Sequence, residues 1–432
     1  MSSFFYGYFV PEYLFVLFLT ICVNYTAAVA MARKKGLARK IYFGLGVLST
    51  LSILFVFKYF DFALQTVGAT ATLGLLLPIG LSFHTFQNLS YITEVYRGRQ
   101  KPEPHLGYFA LYVMFFPQLV AGPIERPQNL LPQIHKKMKL DAARLASGLR
   151  LIVWGLFQKT VVADRLGIMV DHVFHAVDKA PPEARLIAIL FFAFQIYADF
   201  QGYTNIARGS ARLLGFELMK NFARPYEAFS VTDFWRRWHI SLSSWFRDYV
   251  YIPLGGNRGS ELRICANLLF TFALAGLWHG ANWTFVVWGV LNGAYVAIER
   301  WVPVRSRLVT FLLISFSWIF FRASTLSEAQ AIIASIPAGL IHIVDRIIHL
   351  DLFNFELMTS LGTNATDFCL AALALAAMEI VQRLETKNDL GEAARRLQFG
   401  VRWASYAAFT AFIVLSWIFF PAASRPFIYF QF

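Results

Sequence analysis

Apolar runs of roughly 15 to 20 residues recur from one end of the chain to the other, and they constrain the fold more than any other feature. A helix of about 20 apolar residues can cross the hydrocarbon core of a bilayer. We therefore predict an all-α, polytopic bundle, formed by a single transmembrane domain over residues 1–432. Its apolar segments, about 10 to 12 in number, are expected at 13–31, 41–57, 66–86, 106–121, 145–163, 187–206, 264–278, 282–298, 307–321, 328–344, 367–383 and 402–420.

The composition argues against a soluble or a disordered protein. Hydrophobic residues make up 57% of the chain and charged residues 15%, whereas soluble domains have about 45–50% and about 25%. The formal net charge of +13 does not indicate nucleic-acid binding, because no such motif accompanies it. The basic residues lie mostly between apolar runs, as they do in the cytoplasmic loops of membrane proteins.

The basic loops predict a topology. The clusters at 33–40, 97–101 and 135–139 should all face the cytoplasm. The run 106–121 lies between two of them, so we expect it to be re-entrant or interfacial. The pair 264–278 and 282–298 has arginines at both outer ends, which places its turn either at the far surface or inside the membrane.

The longest polar interruption, 207–263, mixes arginines with tryptophan, tyrosine and phenylalanine. Such a mixture suits a membrane–water interface, where aromatic rings lie at headgroup level and cationic side chains reach into water. We interpret this stretch as a cytoplasmic or interfacial segment of the same domain.

Three histidines stand out among the ionisable residues, which are costly inside apolar segments. His279 lies between two strongly apolar arms and is flanked by Trp278 and Gly280, so we expect a catalytic or ligand-binding role. For His239 a functional role and a contact at the start of a helix are equally well supported. For His84, at the end of an apolar run, a structural role is favoured.

The sequence lacks the motifs of several common catalytic and ligand-binding sites. The sequence contains no HExxH or Cys/His cluster, no G-x-S-x-G elbow and no Walker A loop, so we expect no metal site and no serine nucleophile. A buried neutral imidazole remains, and it can act as a general base. This chemistry suits direct attack of an acceptor hydroxyl on an activated acyl group.

Two motifs and several shorter matches resemble the membrane-bound O-acyltransferase family. The first runs over 233–243, Asp-Phe-Trp-Arg-Arg-Trp-His-Ile-Ser-Leu-Ser, and the second over 276–283, Gly-Leu-Trp-His-Gly-Ala-Asn-Trp. Within the family, the motif sequences are most similar to those of the alginate type of O-acetyltransferase. Two positions differ: His84 stands where tyrosine is expected, and Asn292 where histidine is common. The shorter matches lie at 82–98, 115–124, 197–203, 221–226 and 318–323.

The resemblance implies a bacterial inner-membrane enzyme with a central tunnel. His279 would be the catalytic base that meets a cytoplasmic thioester, and His239 the second tunnel histidine on the cytoplasmic approach. The implied co-substrate is acetyl-CoA, with no bound cofactor. The implied acceptor is an extracytoplasmic polysaccharide or a protein that relays the acetyl group.

The residues around the two histidines are the candidates for binding donor or substrate. Arginines near the implied tunnel entrance can meet the phosphates of coenzyme A, and anchoring to lipid headgroups is an equal alternative for them. The candidates are Arg236, Arg237, Trp238, Trp278 and Asn282.

Two other functions remain as alternatives. The first is D-alanyl or acyl transfer from a carrier-protein thioester in a teichoic-acid pathway. The second is a membrane transporter, which should have two related halves, and the sequence shows no internal repeat.

Overall fold

The computed structural model describes residues 2–8, 11–78, 80–119, 122–139, 141–387, 398–419 and 427. Within this part of the chain it contains helices and loops but no β-strand. This confirms the prediction of an all-α, polytopic membrane fold. Eight of the described helices are long and apolar enough to cross a membrane: Tyr13–Ala32, Gly36–Thr66, Ala142–His175, Pro182–Leu213, Glu261–His279, Leu326–Ile348, Ala365–Glu385 and Gly400–Ile418.

The described chain forms two compact units whose segments alternate along the sequence. The first unit comprises Met1–Ile152, Ile206–Asn221 and His239–Gly256. Its core includes the buried helix Leu81–Tyr96. The remaining helices that lie wholly in this unit are Ser2–Gly7, Tyr13–Ala32, Gly36–Leu54 with its continuation to Thr66, Leu106–Met114, Phe116–Leu119, Pro127–Ile134 and Ile240–Phe246, which continues as a π-helix over Arg247–Tyr251.

The second unit comprises Val153–Asn205, Phe222–Trp238 and Asn257–Phe432. Several of its helices begin at a serine, threonine or asparagine whose side chain accepts a hydrogen bond from a backbone N–H of the first turn. Such caps satisfy N–H groups that have no partner inside the helix. The main helices here are Asp164–His175, Val231–Arg237, Glu261–His279, Trp283–Ile298, Arg307–Arg322, Leu326–Ile348, Phe355–Ser360, Ala365–Lys387 and Phe399–Phe419.

The run 106–121 does not form one continuous helix, and its predicted re-entrant or interfacial position stays a prediction. It forms the helices Leu106–Met114 and Phe116–Leu119, and its last two residues lie outside the described part. Neither helix approaches the length of about 20 residues that a crossing requires.

The prediction of a single spanning segment at 66–86 is wrong. A helix ends at Thr66, residues 69–78 are not helical, and the helix Leu81–Tyr96 begins a new element. The local reason is backbone chemistry, because Gly68 and Gly74 adopt positive φ angles of 78° and 58° and Pro78 has no N–H to donate. The apolar composition of this stretch predicts one continuous helix, because hydropathy does not register such breaks.

Glycines hold the Glu261–His279 and Trp283–Ile298 helices close together in the second unit. A Cβ atom on Gly276 would lie 2.2 Å from the backbone oxygen of Phe285, and one on Gly289 would lie 2.3 Å from that of Phe272. Small residues let backbones approach closely in this way, which is a common basis of helix pairing in membranes. The pair forms a tight hairpin whose turn carries His279.

We expect replacement of these glycines to loosen the hairpin. Gly276→Ala and Gly289→Ala should each destabilise the protein by roughly 1–3 kcal/mol, because the added methyl group overpacks the contact. The measurement is the thermal midpoint of the detergent-solubilised protein. Gly44→Ala is the control, since a Cβ there meets no atom within 4 Å. Equal midpoints for all three variants would contradict the packing argument.

Candidate active site

His279 is the last residue of its helix, at the turn of the hairpin. The chain leaves the helix at Gly280, which is extended with φ −155° and ψ 144°. A Cβ atom on Gly280 would lie 2.2 Å from the ring of Phe285, so only glycine fits there without a shift. The sequence thus ends the helix directly after the imidazole.

Asn282 fixes the other side of this turn. Its Oδ1 accepts a hydrogen bond from the backbone N–H of Thr284 at 3.1 Å, and its Nδ2 donates to the backbone oxygen of Ser324 at 2.9 Å. Both polar ends of the side chain therefore hold the turn in place. Substrate binding by Asn282 stays a prediction.

Aromatic rings surround the His279 imidazole. The ring centroids of Trp278, Trp288 and Phe321 lie 4.8, 5.2 and 5.2 Å from that of His279, each in an edge-to-face arrangement. His279 is only 6% exposed. A base in such surroundings is shielded from bulk water.

The rings of Trp278, Trp288 and Phe321 around His279 belong to a larger cluster, the aromatic wall, which extends through Trp318 to Trp238. The indole of Trp288 stacks on that of Trp318 at 5.6 Å and 19°, and Trp318 lies 5.0 Å from Trp238. The indole N–H of Trp318 donates to the hydroxyl of Tyr226 at 3.2 Å. The second unit thus brings Trp278 and Trp238 together with His279. Trp238 is 1% exposed, so its ring is buried and supports the wall by packing against Trp318.

The two predicted donor-binding arginines differ in their surroundings. Arg236 is exposed on the helix Val231–Arg237. The Arg237 guanidinium forms an ion pair with Asp233, one turn earlier on the same helix, with Nε 2.8 Å from Asp233 Oδ1. A role for either in binding phosphate stays a prediction.

His239 belongs to the first unit and has an unusual backbone. Its φ of 40° and ψ of 55° lie in the left-handed region, directly before the helix Ile240–Phe246. The backbone oxygen of Asn221 accepts from the N–H of Ile240 at 2.9 Å, and Asn221 Oδ1 accepts from that of Ser241 at 3.3 Å. A left-handed residue other than glycine costs about 1 kcal/mol or more.

The His239 side chain is 1% exposed. Burial lowers the pKa of its imidazole to about 3, because the charged form loses its hydration. The ring is therefore neutral at physiological pH and can accept a hydrogen bond. That His239 and His279 share one tunnel stays a prediction.

Sequence reasoning missed a buried ionic cluster in the second unit. Lys159 Nζ lies 2.8 Å from Asp164 Oδ1 and 2.8 Å from Asp199 Oδ1. A signal for it was present, because Lys159 falls inside the apolar segment 145–163 and Asp199 inside 187–206. Charged residues in such segments pair with one another or carry function.

Buried polar groups also line the helix Leu81–Tyr96. His84 is 1% exposed and Asn88 is fully buried, and within the described residues neither side chain has a hydrogen-bond partner. No ring hydrogen bond thus supports the structural role favoured for His84. Within the same part of the chain, no group of three or more His, Cys, Asp or Glu side chains is placed to hold a metal ion.

The chain is similar to enzymes of known families. Residues 99–313 match the model of the membrane-bound O-acyltransferase family, and this range contains both histidines and the hairpin. The chain is 41% identical to "Probable alginate O-acetylase AlgI" of Azotobacter vinelandii over 310 residues, 67% of this chain and 62% of that protein. It thus spans less than two thirds of the length of that relative.

A second relative is matched over more of its length. The chain is 34% identical to the peptidoglycan O-acetyltransferase of Helicobacter pylori over 376 residues, 77% of this chain and 71% of that protein. The teichoic acid D-alanyltransferase of Bacillus subtilis is more distant, with 25% identity over 302 residues, 64% of this chain and 76% of that protein. The resemblance inferred from the two motifs is confirmed: the chain belongs to the membrane-bound O-acyltransferase family.

Proposed function

We propose that this protein is a membrane O-acetyltransferase with His279 as its general base. It moves an acetyl group from a cytoplasmic thioester, acetyl-CoA, to a hydroxyl of an extracytoplasmic polysaccharide or of a relay protein. One observation carries the proposal: a buried histidine stands at the turn of a tight hairpin within the region that matches the family. The implied location is the bacterial inner membrane.

The proposed reaction needs no covalent enzyme intermediate. The acceptor hydroxyl gives its proton to one nitrogen of His279 while its oxygen attacks the thioester carbonyl carbon. The tetrahedral intermediate then expels the thiolate, which takes the proton from the imidazolium. The products are an acetyl ester and a free thiol, and His279 returns to its neutral form.

The aromatic wall supports this chemistry in two ways. Three rings pack edge-on against the His279 imidazole, which fixes its orientation. Their apolar surfaces also keep water from competing with the acceptor hydroxyl for the thioester.

The two relatives at higher identity are O-acetylating enzymes by name, which favours acetyl transfer over the alternatives. Transfer of D-alanine from a carrier protein is the second candidate, since a teichoic acid D-alanyltransferase is also similar. A transporter has no support from these relatives.

His279→Ala should lower acetyl transfer at saturating substrates by at least about 10²-fold, which is the usual contribution of a general base. The measurement is release of free thiol and formation of acetyl ester by the purified, reconstituted protein. His349→Ala, at an exposed histidine after the helix Leu326–Ile348, is the control and should retain normal turnover. Near-normal turnover by His279→Ala, in protein that elutes as one species, would refute the assignment.

We expect a smaller loss at His239. His239→Asn keeps a residue type that tolerates the left-handed backbone, and it should lower kcat/KM for the donor about tenfold, less than the general-base contribution, mainly through KM. Because the pKa of His239 is about 3, its protonation lies below pH 5. The variant and the wild type should therefore have the same pH profile between pH 5 and 8. An acidic limb in that range that only the wild type shows would contradict this view.

The loops at 33–40 and 258–263 should both face the cytoplasm. The test introduces Lys35→Cys or Arg258→Cys into a background without the native Cys22, Cys265 and Cys369. An impermeant thiol reagent should label neither cysteine in intact cells and both after permeabilisation. Labelling of either site in intact cells would overturn the topology.

A further inference from the structure

A cavity of about 330 Å³ in the first unit brings together arginines from two separate parts of the sequence. Arg97 and Arg99 follow the helix Leu81–Tyr96, and Arg126 precedes the helix Pro127–Ile134. The same cavity contains the carboxylates of Glu94 and Asp248. Three guanidinium groups against two carboxylates leave an excess of positive charge.

A buried carboxylate anchors this cavity. The Glu94 side chain is only 5% exposed, and its Oε1 lies 2.7 Å from Arg99 Nη2 and 3.6 Å from Arg97 Nη1. Its Oε2 accepts from Gln128 Nε2 at 2.7 Å. Glu94 thus holds both guanidinium groups in place before any ligand arrives, which reduces the entropy that binding would cost.

Tyr249 positions the third arginine. The Arg126 guanidinium lies 4.6 Å from the Tyr249 ring centroid, and that of Arg97 lies 5.3 Å from it. Burial raises the pKa of Tyr249 to about 12, so its hydroxyl stays protonated and donates to Glu94 Oε1 at 3.0 Å. Arg126 Nη1 also donates to Ser90 Oγ at 3.3 Å, and Arg126 Nη2 lies 3.5 Å from Asp248 Oδ2.

Two of the three arginine side chains are partly exposed to solvent. The Arg99 side chain is 56% exposed and that of Arg97 30%. Arginine presents five N–H donors in a planar fork that matches the oxygens of a phosphate. Two partly exposed forks, with Arg126 beside them at 18% exposure and an excess of positive charge, suit a phosphate ester.

We propose that this cavity binds the phosphate at the end of the pantetheine arm of the thioester donor. This inference rests on the proposed function, which requires such a donor. The phosphate is shared by coenzyme A and by the phosphopantetheine group of carrier proteins. Arg97 and Arg99 belong to the basic loop 97–101, which is predicted to face the cytoplasm, where both donors are found.

Other arginines fit this role less well. A cavity of about 370 Å³ in the second unit contains Arg300 and Arg305, but Arg300 makes a two-fold ion pair with Glu261 at 2.8 and 2.9 Å. Arg237 is paired with Asp233. The cavity around Glu94 instead holds two partly exposed guanidinium groups on one buried carboxylate.

The experiment compares three donors with the reconstituted protein. Acetyl-CoA and acetyl-4′-phosphopantetheine carry the phosphate, and acetylpantetheine lacks it. The double variant Arg97→Gln/Arg99→Gln should raise KM about tenfold for the first two, equivalent to about 1.4 kcal/mol, and leave acetylpantetheine unchanged. Lys136→Gln/Lys137→Gln removes two exposed charges from another basic loop and should change no KM.

The outcomes separate this inference from the proposed function. An equal rise for all three donors, no rise for any, or a rise for acetyl-CoA alone would overturn the phosphate site. If the wild type transfers acetyl from none of the donors, the proposed function fails. Equilibrium binding of 4′-phosphopantetheine then still tests the cavity, and the double variant should bind it about tenfold more weakly. If the double variant does not fold, Arg99→Gln alone, at the more exposed position, replaces it.

Discussion

A bilayer offers no hydrogen-bond partner to a peptide group, so each backbone N–H and C=O in the hydrocarbon must be satisfied within the protein. This constraint forces the apolar segments of the chain into helices. It also makes each departure from helix costly unless protein surrounds it. The departure at Gly280, directly after the helix Glu261–His279, therefore marks a place where the fold supports irregular backbone beside a histidine.

The hairpin shows how this support is built. Gly276 and Gly289 bring two helices into backbone contact, and Asn282 closes the turn through its own hydrogen bonds. The imidazole of His279 is then enclosed by tryptophan and phenylalanine rings. An ionisable ring is costly to bury in apolar surroundings, and this cost is one reason for the proposal that His279 is a general base.

Sequence patterns predicted much of this arrangement, because apolar runs and basic loops report directly on the bilayer. The all-helical fold and the position of His279 between two apolar arms follow from composition and spacing. The segment 66–86 was mispredicted since hydropathy does not record positive φ angles at Gly68 and Gly74.

Tertiary pairings were harder to anticipate. Lys159 contacts Asp199 from 40 positions away in sequence, and Arg126 meets Tyr249 from still further. Periodicity gives the face of a helix but not its neighbour, so these contacts were visible only in three dimensions. The left-handed backbone of His239 has no sequence signal of its own.

The central claim is that His279 acts as a base in direct transfer and does not carry the acetyl group. It is tested by mixing the reconstituted protein with isotopically labelled acetyl-CoA in the absence of acceptor, followed by mass spectrometry of the intact protein and its peptides. Direct transfer predicts no burst of free thiol and no acetylated residue until an acceptor hydroxyl is supplied. Release of one equivalent of thiol, with the label on His279 and then passed to acceptor, would contradict it.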